Sequence, residues 1–127
     1  MSSQVLLSGG DKWYSYSGEI FGDVTSPASI QMILIPNTGL KDSLVHIQPY
    51  FDKPVTTSNN EGLGIEVKLD DNVIYNSQIG ITPQTPTLTM IPIQLFIPRQ
   101  SKLEVISVNT SGNNTQTRGC NVLGYYV

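Results

Sequence analysis

Leu63-Gly64-Ile65-Glu66-Val67-Lys68-Leu69 carries an apolar residue at every second position, with Glu66 and Lys68 between them. Successive side chains of a strand point to opposite faces, so this spacing describes a strand with one buried and one wet face. Asp70-Asp71-Asn72 follows, and then Val73-Ile74-Tyr75. Residues that tolerate left-handed backbone thus separate two β-prone runs, and 62–77 reads as a β-hairpin.

The same texture extends in both directions. Runs of strand character occupy 13–20, 28–35, 43–51, 87–97, 102–109 and 121–127. Turn chemistry separates them: Ser26-Pro27, Pro36-Asn37-Thr38-Gly39, Asn59-Asn60-Glu61-Gly62, Pro83 to Pro86 and Ser111-Gly112-Asn113-Asn114. No window combines a 3.6-residue apolar stripe with helix caps, and 8 Pro with 11 Gly further disfavour long helices. The expected fold is all-β, a single antiparallel β-sandwich of about eight strands, jelly-roll-like. Pro49 and Pro92 lie inside strand patterns without an N–H to give the ladder, so each is expected at an edge or a bulge. The alternation slips by one residue around Pro92, as a bulge there requires.

A chain of 127 residues fits one domain, set here as an N-terminal arm over 1–12 and the sandwich over 13–127. Charged residues are 13% of the chain, about half of the usual ~25%, so Ser, Thr, Asn and Gln must supply most of the wet surface. A net charge of −3 with 7 Lys and Arg lacks the basic face that a nucleic-acid binder needs. No apolar run approaches the ~20 residues of a membrane-spanning helix, so no membrane partner is expected. The N-terminus has no basic stretch ahead of Val5-Leu6-Leu7, which is too short for a signal-peptide core. The 1 cysteine, Cys120, has no partner in the chain for a disulfide.

Little of the sequence speaks for catalysis. His46 shares a strand face with Leu44, Gln48 and Tyr50 and has no evident nucleophile or orienting acid beside it. Cys120 follows Arg118-Gly119 and reads as a small buried thiol at a strand start. Asp70, Asp71 and Asn72 have oxygens that suit calcium, but the full loop spacing is missing and the turn accounts for all three. Asn109-Thr110-Ser111 and Asn113-Asn114-Thr115 match the glycosylation pattern and read as loop residues. No enzyme activity, cofactor or metal is expected. Trp13, Tyr14, Tyr16, Tyr125 and Tyr126 are the aromatic candidates for contact with a partner or a sugar, and alternation puts Trp13 on one face with Tyr14 and Tyr16 on the other.

The WYSYSGEI strand from Trp13, the segment Ile97-Pro98-Arg99-Gln100-Ser101-Lys102-Leu103-Glu104-Val105, the turn Asn109-Thr110-Ser111-Gly112 and the closing Val122-Leu123-Gly124-Tyr125-Tyr126-Val127 together resemble the small jelly-roll structural proteins of tailed-bacteriophage virions. The resemblance covers mainly the C-terminal third and one N-terminal strand. It implies a virion component assembled in the host cytoplasm, a capsid decoration protein or a module of a head fibre or tail. It further implies a homo-oligomer, with a trimer favoured, and the major capsid protein or other virion proteins as partners. Val5, Leu6, Leu7, Trp13, Tyr14, Tyr16, Tyr125 and Tyr126 are the expected partner or oligomer contacts. The competing expectation is a carbohydrate- or receptor-binding module of a fibre or tail, with Tyr or Trp converging on Asp or Asn in a shallow groove.

Overall fold

The computed structural model describes residues 5–9, 11–18, 20–23, 28–51, 61–81, 88–89, 92–111 and 115–127. Eleven strands run through them: β1 (Val5–Gly9), β2 (Lys12–Tyr16), β3 (Ile20–Asp23), β4 (Ala28–Ile35), β5 (Ser43–Phe51), β6 (Glu61–Leu69), β7 (Asn72–Ile81), β8 (Leu88–Thr89), β9 (Ile93–Ile97), β10 (Leu103–Ser111) and β11 (Thr115–Tyr126). Every pairing is antiparallel. No helix among them is long and apolar enough to cross a membrane.

Two strands are broken in the middle. β2 and β3 lie end to end against β11, over its residues 121–125 and 115–118. β9 and β8 likewise share β5, over its residues 43–47 and 50–51. Counting each broken strand once and setting β1 aside leaves eight positions in chain order. The first sheet then runs first, eighth, third, sixth (β2/β3, β11, β5, β9/β8), and the second runs second, seventh, fourth, fifth (β4, β10, β6, β7). That interleaving of two Greek keys is a jelly roll, and β1 adds one strand outside β2.

The breaks have local causes. The run expected over 13–20 divides at Gly18, whose φ of +67° suits glycine best. The Ser17 hydroxyl accepts from the Cys120 N–H at 2.8 Å while the Ser17 N–H donates to the Cys120 carbonyl at 3.0 Å, so the chain stays tied to β11 as it turns. The run over 87–97 divides between β8 and β9, and Pro92 lies outside both. Pro49 is not at a sheet edge: it is buried in β5, an inner strand, opposite Cys120 of β11. Among the described residues β5 pairs with β9 up to Ile47 and with β8 from Tyr50.

The core fills the space between the sheets. Val45, Ile47, Val122, Cys120, Ile93 and Ile97 enter from the first sheet; Ile33, Ile35, Ile65, Val67, Leu103 and Val105 enter from the second. Ile65 and Val67 are fully buried and Glu66 and Lys68 half-buried, as the alternation from Leu63 to Leu69 requires. Asp70 and Asp71 both take positive φ, 49° and 69°, and close a two-residue turn between β6 and β7. Deep in the sandwich Arg118 of β11 donates from Nη1 to the Ser107 hydroxyl of β10 at 2.8 Å, a polar tie across the two sheets.

One end of the sandwich is braced by loop-to-loop hydrogen bonds. The Thr38 N–H donates to the Ser101 carbonyl, the Gln100 N–H to the Gly39 carbonyl, and the Arg99 N–H to Asp42 Oδ1. The Lys102 N–H donates to Asp70 Oδ1, and the Asp70 N–H returns to the Lys102 carbonyl. The Val127 N–H donates to the Asp42 carbonyl, so the strand that closes the first sheet is held by the same loops.

Candidate interaction face

The outer faces of the two sheets differ in chemistry. On the second sheet, Glu66 and Lys68 of β6 stand near Glu104 of β10, which accepts from Gln31 Nε2 at 2.8 Å. At its end Lys102 bonds Asp71 and lies 3.6 Å from Glu104. The hydrogen bond from Lys102 holds the Asp71 carboxyl below its usual range, and the same bond raises the Lys102 ammonium above its own.

The first sheet instead presents rings and aliphatic chains. Register sets them in rows across β2, β11, β5 and β9: Lys12, Tyr125, Leu44 and Phe96 in one, and Tyr14, Leu123, His46 and Gln94 in the next. Beyond these come Tyr16, Asn121 and Gln48, and then Gly119 and Tyr50. Tyr14 and Tyr16 are stacked with centroids 6.4 Å apart and planes within 10°, as two residues one full strand repeat apart on one face can be. His46 meets Tyr125 edge to face at 5.6 Å, and Lys12 Nζ lies 5.4 Å from the centre of the Tyr125 ring. Tyr16 is 38% exposed and Phe96 58% exposed, so the face is open to a partner at both margins.

Of the expected contacts, Tyr14, Tyr16 and Tyr125 share this face. Val5, Leu6 and Leu7 lie in β1, opposite Tyr16, Ser15 and Tyr14 in backbone register. Trp13 is a correction: it is 2% exposed, its ring covers Gly124, and Nε1 donates to the Ser43 hydroxyl at 3.1 Å. Its indole belongs to the core because β2 turns that side of the strand inward. Tyr126 also turns inward and packs against the core, beside Gly39 and with Lys41 Nζ 6.0 Å from its ring centre. Leu44, His46, Tyr50, Phe96 and Leu123 join the face without having been expected there as a group. Their period-two spacing is visible strand by strand, but the order that sets the strands side by side is not.

The buried thiol is poorly placed for chemistry. Cys120 is buried and its thiol pKa is pushed up to about 12 by loss of solvation, which keeps it protonated and unreactive. Among the described residues no three His, Cys, Asp or Glu side chains gather to hold a metal ion. At the Asp70-Asp71 turn, Asp70 Oδ1 accepts from the Lys102 backbone, Asp71 pairs with Lys102 Nζ, and Asn72 Nδ2 donates to the Asp70 carbonyl.

No protein-family model matches the chain, and no curated protein matches it in sequence. Among solved structures the sandwich has a viral counterpart. It is similar to a chain in the structure of infectious bursal disease virus Gx strain, with a TM-score of 0.54 and 14% identity, covering 99% of this chain and 33% of that one. A chain in the crystal structure of the infectious bursal disease virus VP2 subviral particle gives a TM-score of 0.47 at 12% identity, again covering 99% and 33%. At such identities the likeness is one of fold, and this chain spans about a third of the length of the solved chains it matches.

Proposed function

We propose that this protein is a non-enzymatic structural component of a viral particle, acting through subunit contacts, and more narrowly a capsid decoration protein of a tailed bacteriophage. The observation that carries the reading is the jelly roll itself, which aligns over 99% of its length with a chain of a virus structure. The aromatic outer face of the first sheet supports it as the contact surface. Tyr, Phe and Leu side chains at a margin open to solvent are what a subunit interface buries, and enrichment in aromatics marks such interfaces. Copies associate around a threefold axis, with the Tyr14, Tyr16 and Tyr125 face against a neighbouring subunit or the major capsid protein.

A second reading, a carbohydrate- or receptor-binding module, draws on one specific grouping. Tyr16, Asn121 and Gln48 stand in one row beside Tyr14, which puts ring faces next to amides as sugar recognition requires.

Light scattering on the purified protein, together with sedimentation in the presence of empty phage capsids, tests the first reading. A trimer or co-sedimentation that Tyr16→Ala and Phe96→Ser weaken supports it. A strict monomer that stays in the supernatant refutes it, and glycan binding lost in Tyr16→Ala would then establish the second.

A further inference from the structure

We propose that β7 is a second assembly surface, on which two copies of this chain join edge to edge about a twofold axis into one continuous sheet. A sheet edge presents unpaired N–H and C=O groups, so natural proteins shorten, charge, bend or cover their edges. The edges described here are unequally guarded. β1 has five residues, β8 two, and β9 five between Pro92 and Pro98. β4 has eight, but Met32, Ile33 and Ile35 are buried and a bulge interrupts its pairing with β10. β7 runs ten residues, Asn72–Ile81, with no proline and no charged side chain. Among the described residues no strand pairs with its outer edge.

Two further observations select a second copy as the occupant. The bulge in the β6–β7 pair lies at Val67/Lys68, next to the turn, and leaves residues 75–81 in unbroken register with 61–67. Seven residues of straight edge therefore remain, enough for a regular ladder. Beside that run, at the bulge, Val73 is 50% and Ile74 41% exposed, so the edge is flanked by apolar surface and not by charge. An antiparallel strand is self-complementary under twofold rotation, and a strand without charge aligns against itself with no like charges opposed. The four-stranded sheets of two copies then form one of eight. This edge lies in the second sheet and the aromatic face on the first, so the two associations are independent.

Sedimentation velocity over a concentration series, on wild type and on Ile74→Lys and Asn76→Lys, tests the seam, since both positions are solvent-facing and tolerate the change in the folded monomer. The expected result is a species that doubles in mass with concentration, monomer to dimer or trimer to hexamer, and at least a tenfold weakening of that doubling in each lysine variant. Hydrogen exchange on the wild type gives a second reading that needs no variant: backbone amides of residues 75–81 gain protection as the doubled species fills, while those of β4 do not. Absence of doubling up to the solubility limit, doubling unchanged in both variants, or added protection at β4 in place of β7 overturns the proposal.

Discussion

Gly124→Ala should destabilise the protein through one overlap that the structure locates. A Cβ at position 124 would lie 2.5 Å from Trp13 Cζ2 and closer still to Cε2 and Nε1. Non-bonded carbon atoms rest at about 3.5–4.0 Å, so the indole must retreat by about 1 Å or more. It has no free direction, because it is 2% exposed and fixed by its bond to the Ser43 hydroxyl. Forcing an extra methyl into a packed core costs about 1–3 kcal/mol, and losing the Trp13–Ser43 bond adds about 0.5–1.5 kcal/mol. The total centres on about 3 kcal/mol. An unfolding entropy of about 2.1 cal/mol/K per residue gives about 270 cal/mol/K for a chain of this length, so the melting temperature should fall by about 11 °C. Trp13 is the 1 tryptophan of the chain, and its fluorescence follows both the unfolding and the position of the ring. Trp13→Phe, which vacates part of the contested volume, should cost stability alone yet make Gly124→Ala cheaper in the double variant by about 1 kcal/mol or more. A melting temperature within 2 °C or so of wild type for Gly124→Ala, with unshifted emission, would refute the packing argument.

Three other outcomes follow from the same geometry. Gly119→Ala meets Tyr50, 2.8 Å from Cε1 and closer still to Cζ and Oη, but Tyr50 is half-buried where Trp13 is enclosed, so thermal unfolding should show a loss of about 1–2 kcal/mol, below that of Gly124→Ala. Ser107→Ala removes the hydroxyl that accepts from buried Arg118, and urea unfolding should show a loss of about 1.5–3 kcal/mol, the range for hydrogen bonds to charged groups. Cys120 should resist iodoacetamide in the native protein at pH 8 and react fully in denaturant. Because its folded pKa of about 12 lies above the unfolded value of 9.0, the associated stability is intact below pH 9 and is lost as pH rises toward 12. Cys120→Ala should flatten that alkaline decline in an unfolding series, and native-state alkylation at the denatured rate would contradict the burial.

Alternation along each strand was readable because it is local. Leu63 to Leu69, the Asp70-Asp71 turn and the inward and outward sides of Trp13 and Tyr14 all depend on neighbours two residues away. The inner place of Pro49 was not readable, since it depends on β8 and β9 meeting β5 from about 40 residues downstream in the sequence. The same limit applies to the candidate face. Tyr16, Asn121 and Gln48 become one row only when the strand order is known, and period two says nothing about order. Trp13 and Tyr126 were expected at a partner surface from residue type, which is enriched both at interfaces and in cores. Only the face each occupies separates the two, and both turn inward.

The place of β11 also governs when this molecule can form. It is the last strand in chain order, yet it sits between β2/β3 and β5 at the centre of the first sheet. On the ribosome, β2 and β5 emerge with no central partner, and the first sheet stays open until β11 is made, about a hundred residues after β2. Most contacts of this fold join segments distant in sequence, so closure is slow once it becomes possible. In the second sheet the uncharged β4 waits in the same way for β10. A nascent chain released before β11 would have lost the first sheet's centre rather than its edge.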